Sequence, residues 1–177
     1  AFWRKLGFLV VQGYGLTETA PVVTLNHPFS ASRGTVGKPI EGVDVKIAPD
    51  GEILVRGENV TSGYYQPSGA GSASAESTAA FRDGWFHTGD IGEIDASGRL
   101  LIKGRKKEMI VTPQGLNVFP EDVERVLAAQ SGVRDAGVVG VRVEGEERVH
   151  AVLVLDAGAD VQAIVRGANA TLEDHQR

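Results

Sequence analysis

Polar and apolar positions alternate through much of the first half of the chain, and this period predicts strands. Val43-Asp-Val-Lys-Ile and Glu52-Ile-Leu-Val-Arg-Gly are two such segments, joined by a Pro49-Asp-Gly turn. Glycines punctuate residues 33–65 at positions that we interpret as turns and bulges, so the stretch predicts a small barrel or meander. Upstream, the apolar and partly β-branched run Phe8-Leu-Val-Val is typical of a buried strand.

A β-hairpin is predicted next, with a first arm over Gly84 to Ile94, a turn at Asp95-Ala-Ser-Gly and a second strand at Arg99-Leu-Leu-Ile-Lys. Asp90 follows a Thr-Gly pair, so we expect its carboxylate on a turn, where both oxygens can accept hydrogen bonds from a diol. The segment from Pro67 to Ala80 has no period and is rich in small residues, which predicts a flexible surface loop.

Beyond Gly104 the pattern mixes strands and helices. Glu108 to Val111 indicates a strand, and Thr112-Pro-Gln-Gly indicates a turn. Pro120 then opens a helix, with Asn117 or the residues just after it near the cap, and Gly132 ends it.

The last third predicts a second hairpin and a second helix. Two valine-rich strands, Ala136 to Val143 and Arg148 to Leu155, flank an acidic turn, and Val161 to Ala168 is a helix candidate. The fold class is therefore α+β, with a β-rich domain over residues 1–104 and a small α+β domain over 105–177. We place the boundary here because a glycine followed by the cations Arg105, Lys106 and Lys107 suits a solvent-exposed hinge.

Composition narrows the class of protein. The 177 residues are 42% hydrophobic and 23% charged, as in globular proteins, and the formal net charge of -5 argues against a protein that coats nucleic acid. The chain has no cysteine, which excludes disulfides and thiolate nucleophiles and favours a cytoplasmic location. Its apolar runs are too short for a membrane-spanning helix. Peripheral membrane contact stays possible, and the sequence does not determine the oligomeric state. The four histidines have no metal-ligand spacing.

Three motifs follow one another in order. They are Tyr14-Gly-Leu-Thr-Glu, Gly84-Trp-Phe-His-Thr-Gly-Asp, and Gly104-Arg-Lys-Lys-Glu-Met-Ile through Gly115-Leu-Asn-Val-Phe-Pro-Glu-Asp-Val-Glu. In order and spacing they resemble the later signature motifs of the adenylate-forming (AMP-binding) superfamily, which includes acyl-CoA synthetases, luciferases and peptide-synthetase adenylation domains. The third motif is most similar to the long-chain fatty-acyl-CoA synthetase branch.

The resemblance implies a two-step ligase of fatty acid metabolism. A carboxylic acid attacks the α-phosphate of ATP to form an acyl-adenylate, and the thiol of coenzyme A then takes the acyl group, with Mg²⁺ beside the phosphates. On this resemblance residues 1–104 are the later part of a large AMP-binding domain. Residues 105–177 are a truncated, mobile C-terminal domain.

The first motif implies nucleotide-binding and catalytic roles in this chain. Tyr14 would stack on adenine and Gly15 would lie beside it in the nucleotide site. Thr17 would contact phosphate, and Glu18 would bind Mg²⁺ as a hard oxygen ligand.

The later motifs imply four further site residues. Asp90 would bind the two ribose hydroxyls, and Arg105 would assist there with its fork of donors. Lys107 matches the hinge about which the small domain swings between the two half-reactions. Gly115 would lie beside the tunnel for the pantetheine arm of coenzyme A.

Two of the family's motifs have no counterpart in the sequence: the early Ser/Thr/Gly-rich loop with its lysine, and the late lysine that contacts carboxylate and α-phosphate. With Ala1 in place of methionine, this predicts a piece of a longer enzyme that is inactive alone. A fatty-acyl-AMP ligase that serves a carrier protein, or an aryl acid ligase, is the alternative within enzymes. Outside enzymes, the alternative is a non-catalytic module that binds a nucleotide or a partner.

Overall fold

The structure is a computed structural model that describes residues 2–29, 31–65 and 75–177. It divides into two compact units, Ala1–Ile102 and Lys103–Arg177. The α-helices are α1 (Phe2–Lys5), α2 (Ala75–Ala80), α3 (Pro120–Ala128) and α4 (Val161–Asn169), and the 3-10 helices are Thr17–Thr19 and Asp174–Gln176. The strands are β1 (Gly13–Tyr14), β2 (Thr24–Leu25), β3 (Lys38–Pro39), β4 (Val43–Ile47), β5 (Glu52–Gly57), β6 (Phe81–Arg82), β7 (Trp85–Ile94), β8 (Leu100–Arg105), β9 (Ile110–Val111), β10 (Asn117–Val118), β11 (Val133–Val143) and β12 (Glu146–Leu155). This mixture confirms the predicted α+β class.

The main sheet of the first unit has five strands, and its pairs β4-β5, β5-β7 and β6-β7 are antiparallel. Its strand order is β4-β5-β7-β6, with β8 also paired to β7, and Val45 lies opposite Val55 on the first pair of strands. The two strands and the hairpin predicted from alternation are confirmed here. Apolar side chains from this sheet and from the segments that lead into β2 and β3 form one core: Val23, Val36, Val43, Ile53, Val55, Phe86 and Leu100.

Strand β7 contains an irregularity that matters for Asp90. Leu54 lies opposite His87 and Glu52 lies opposite Ile91, so four residue steps on β7 match two steps on β5. Gly89 has a φ of 73°, which an L-residue rarely adopts. Asp90 therefore lies in a bulge inside a strand, and the predicted turn is wrong. A Thr-Gly pair is compatible with a turn and with a bulge, and the pairing of β7 with β5 determines which of the two forms.

The hairpin turn between β7 and β8 is held by its first residue. Asp95 Oδ1 accepts the backbone N–H groups of Ser97 (2.8 Å) and Arg99 (2.9 Å). The hydrogen bond from the Arg99 backbone is the main reason that the pKa of Asp95 lies below its ordinary value.

Two predictions for the first unit are wrong. Phe8 to Val11 forms no strand, and its side chains are 42–61% exposed, because no described strand pairs with this segment. Ala75–Ala80 is the helix α2, in a region that we predicted to be loop. The buried Ser77 hydroxyl accepts the Tyr64 backbone N–H at 3.1 Å and ties this helix down. Residues 67–74 of the predicted loop lie outside the described residues.

The second unit begins with a short hairpin. Strand β9 pairs with β10 across the predicted turn at Thr112, where the Gly115 N–H donates to the Thr112 carbonyl at 2.8 Å. The predicted strand over Glu108 to Val111 is right only for its last two residues. The N–H groups of Glu108 and Met109 close a turn on the Arg105 carbonyl instead, each at 3.1 Å.

Helix α3 starts where predicted and ends earlier than predicted. Its N-cap is Phe119, one of the residues just after Asn117 that were expected near the cap, and Asn117 itself lies in strand β10. It ends at Ala128 with Ala129 as C-cap, and Gly132, with a φ of 84°, lies in the turn that follows. Pro120 does open the helix, as its missing N–H favours.

The second hairpin and helix α4 confirm the prediction. Strands β11 and β12 pair from Val133 to Leu155 around Glu144 and Gly145, which both have positive φ angles. Asp160 caps α4 by accepting the Ala163 N–H at 3.0 Å. The buried core of this unit is Ile110, Val118, Val123, Leu127, Val138, Ala168 and Leu172. In the part of the chain that is described, no helix has the length and apolar character to cross a membrane.

Candidate functional site

Asp90 and Tyr14 meet at the centre of the candidate site. Asp90 is only 5% exposed, and the Tyr14 hydroxyl donates to its Oδ2 at 2.5 Å. The two residues are 76 positions apart in the sequence, and they belong to the first and second motifs. A buried carboxylate that accepts a phenol hydrogen bond is a charge-assisted contact, so it holds both side chains in place.

The backbone at Asp90 is fixed by Thr88. The Thr88 hydroxyl donates to the Ile53 carbonyl at 2.8 Å on β5 and accepts the Asp90 N–H at 3.1 Å. This side chain therefore replaces the ladder contacts that the bulge interrupts. The orientation of Asp90 follows from this second anchor as well as from Tyr14.

The segment after Tyr14 is a tight turn held by its own side chains. Thr17–Thr19 forms one 3-10 turn, and the buried Thr19 hydroxyl bonds both the N–H and the carbonyl of Leu16 at 2.9 Å. The Asn59 amide donates to the carbonyls of Thr19 (2.7 Å) and Val22 (2.9 Å). Gly15 and Thr17 are exposed on this turn.

Glu18 is half-buried in the same turn. Its Oε1 accepts the Tyr64 hydroxyl at 2.9 Å, and its carbonyl accepts the Thr61 N–H at 2.8 Å. Among residues 2–29, 31–65 and 75–177, no three acidic or histidine side chains converge on one point. A single carboxylate nevertheless suits Mg²⁺, which keeps several waters and takes its remaining ligands from substrate phosphates. The chemistry of Glu18 therefore fits that ion.

The remaining candidates belong to the second unit. Arg105 is exposed at the end of β8, and Lys107 is exposed in the turn that follows. Gly115 has a φ of 77°, and a Cβ placed on it would meet no atom within 4 Å. Of the predicted site residues, the structure brings Tyr14 and Asp90 into direct contact and places Thr17 and Glu18 on the turn that follows Tyr14.

A second buried acid supports the Asp90 bulge. The Glu52 side chain is 6% exposed and lies with its Oε2 3.2 Å from His87 Nδ1. Its Oε1 accepts the Gly89 N–H at 3.0 Å. The Arg82 Nε lies 3.1 Å from the other ring nitrogen of His87. Sequence reasoning missed Glu52, Thr88 and Tyr64. An acid at the head of the apolar run Ile53-Leu-Val was the available signal for Glu52.

Known proteins of similar sequence are ligases that join an acid to coenzyme A. A family model described as AMP-binding enzyme matches residues 1–65. The long-chain-fatty-acid–CoA ligase FadD15 of Mycobacterium bovis is 43% identical over 158 residues, covering 89% of this chain and 25% of the relative. The 2-succinylbenzoate–CoA ligase of Bacillus subtilis is 38% identical over 164 residues, covering 86% of this chain and 32% of the relative.

Solved structures give the same result. The O-succinylbenzoate coenzyme A synthetase of Bacillus subtilis, in complex with AMP, superposes with a TM-score of 0.83 at 31% identity, covering 99% of this chain and 37% of that one. The fold and the paired motifs are therefore those of one part of the adenylate-forming enzymes that the chain resembles. The chain belongs to the AMP-binding family of these enzymes, and it spans about a quarter of the length of its first curated relatives.

Proposed function

We propose that this chain supplies the nucleotide-site residues of an ATP-dependent acid–thiol ligase, which joins a carboxylic acid to coenzyme A through an acyl-adenylate. The observation that carries the proposal is the hydrogen bond between Tyr14 and Asp90, which unites two distant motifs at one buried carboxylate. An aromatic ring beside an acceptor for a diol is a suitable receptor for a nucleoside.

In the proposed mechanism each residue of the first unit has a separate task. The Tyr14 ring packs on adenine, and the Asp90 carboxylate accepts hydrogen bonds from the ribose hydroxyls. Gly15 leaves room at the nucleotide, and the exposed Thr17 hydroxyl donates to a phosphate oxygen. Glu18 is the ligand for Mg²⁺, which when bound offsets the negative charge of the phosphates.

The proposed roles of the second unit concern the exchange between half-reactions. Arg105 donates to the ribose during one of them. Lys107 is the pivot of the hinge, and Gly115 lines the path of the pantetheine arm. The exposure of all three is compatible with roles toward ligands.

For the acid we propose a medium- or long-chain fatty acid. Three of the relatives that support this choice are named as fatty-acid or long-chain-fatty-acid ligases, at 36–43% identity. An aryl acid is the alternative, because the succinylbenzoate ligase is 38% identical. The acceptor proposed is coenzyme A, with a carrier protein as its alternative.

Pyrophosphate exchange in the native polypeptide that carries this chain tests the proposal. We expect exchange that depends on Mg²⁺ and runs faster with hexadecanoate than with 2-succinylbenzoate, and product formation that requires coenzyme A. Exchange with the aryl acid alone would instead identify an aryl acid ligase. AMP binding without exchange for any acid would favour the non-catalytic module.

Lys107→Pro is expected to spare adenylation and to slow thiol transfer at least about tenfold. Proline fixes φ and removes the α-region from Lys106, so the turn loses the backbone rotation that the proposed hinge needs. Single-turnover assays of the two half-reactions measure this split, with Lys107→Ala as the control that removes the cation and leaves the backbone free. Equal losses in both half-reactions would contradict the pivot role.

A further inference from the structure

The Glu52 carboxylate has two neighbours on β7, and they lie on either side of residue 88. Its Oε1 accepts the Gly89 N–H at 3.0 Å, and its Oε2 lies 3.2 Å from His87 Nδ1. A buried carboxylate is costly unless hydrogen bonds compensate its desolvation, and these two contacts provide such compensation. Glu52 is thus tied to the backbone one residue before Asp90.

The bulge gives this contact a geometric consequence. Between the pairs formed by Glu52 and Leu54, β7 has two more residues than β5, and Gly89 adopts a φ of 73° within them. Because side chains alternate across a strand, a slip of one residue would turn Asp90 to the opposite face of the sheet. The hydrogen bond from the Gly89 N–H to the Glu52 carboxylate favours the observed register over a slipped one.

We infer that Glu52 is a positioning residue for the nucleotide site. Its carboxylate holds the Gly89 backbone so that Asp90 faces the Tyr14 hydroxyl, and it acts on the ligand only through Asp90. The inference rests on the proposed function, in which Asp90 binds the ribose hydroxyls. It predicts that length at position 52 matters more than charge, because the contact that counts is an acceptor at the Gly89 N–H.

The experiment is a double-mutant cycle on AMP affinity, measured by calorimetry in the native polypeptide that carries this chain. We expect Glu52→Ala to weaken AMP binding about tenfold when Asp90 is present, and less than about twofold in an Asp90→Ala background. Glu93→Ala, at an exposed position further along β7, is the control and should leave affinity unchanged.

Two conservative variants keep the test decisive if Glu52→Ala does not fold. Glu52→Gln retains an oxygen at the same reach and should bind AMP within about twofold of the unmodified protein. Glu52→Asp withdraws the carboxylate by one methylene and should weaken binding about fivefold, although it keeps the charge.

The outcomes separate this inference from the proposed function. Equal losses for Glu52→Ala with and without Asp90 would overturn the positioning role, because the two residues would act independently. Wild-type affinity in Glu52→Ala and Glu52→Asp, alongside a weakened Asp90→Ala, would overturn it and leave the proposed function standing. Unchanged affinity in Asp90→Ala itself would overturn the proposed function and the inference together.

Discussion

Asp90→Ala is expected to weaken AMP binding by about ten- to a hundredfold. In the proposed site, the ribose hydroxyls lose their acceptor at a position that is 5% exposed when the carboxylate is removed, and an unsatisfied group in such a site costs about 1–3 kcal/mol. The Tyr14 hydroxyl also loses its partner at 2.5 Å, which loosens the ring that we propose packs on adenine. Calorimetric titration of the native polypeptide with AMP measures the effect.

Two comparison variants locate the origin of that loss. Asp44→Ala removes an exposed carboxylate from the same sheet, where it pairs with Arg56 at 2.7 Å, and should leave AMP affinity unchanged. Tyr14→Phe keeps the ring and removes only the hydroxyl, so it should cost less than Asp90→Ala. An unaltered dissociation constant in Asp90→Ala would refute the ribose assignment.

Local pattern was sufficient for the strands that pair with their sequence neighbours. The hairpin around Asp95 and the one around Glu144 have turn residues whose preferences act within four positions. The same holds for Pro120, whose missing N–H marks the start of α3 without reference to any partner. These elements are predictable because their determinants are adjacent in the chain.

Segments that depend on a distant partner were mispredicted. Phe8 to Val11 has the composition of a buried strand, yet apolar residues form a strand only where a neighbouring strand offers hydrogen bonds and cover. Asn117 was one of the positions expected near the cap of α3, but its pairing with Val111 places it in β10, and the cap is Phe119, two residues later. In both cases tertiary context overrides a weak local preference.

The candidate site shows the same division. The role proposed for Asp90 follows from its motif, whereas its contacts do not. Tyr14 lies 76 residues away, and Glu52 reaches the neighbouring Gly89 from the adjacent strand. The register of β5 against β7 creates the bulge, and register depends on the whole sheet. Sequence motifs can therefore nominate the residues proposed to face the ligand, whereas the contacts that these residues make in the fold require the structure.

Gly15→Ala is expected to lower the local stability of the Tyr14 turn by about 3 kcal/mol. A Cβ on Gly15 would overlap the Pro21 carbonyl oxygen and would lie 2.7 Å from its carbon and 2.9 Å from the Val22 Cα. These are backbone atoms, so no side-chain rotation relieves the clash, and the two segments must move apart. Hydrogen exchange of the Val23 N–H, which donates to the Tyr14 carbonyl at 2.8 Å, should become about a hundredfold faster.

Gly137→Ala is the matched control for this substitution. Gly137 lies in strand β11 without a positive φ, and a Cβ there meets no atom within 4 Å, so exchange and unfolding should stay as they are. AMP affinity should fall in Gly15→Ala alone, because displacement of the turn carries Tyr14 away from Asp90. Slow exchange at Val23 combined with weakened AMP binding would mean that Gly15 acts on the ligand directly, since the methyl group would then block the nucleotide without opening the turn.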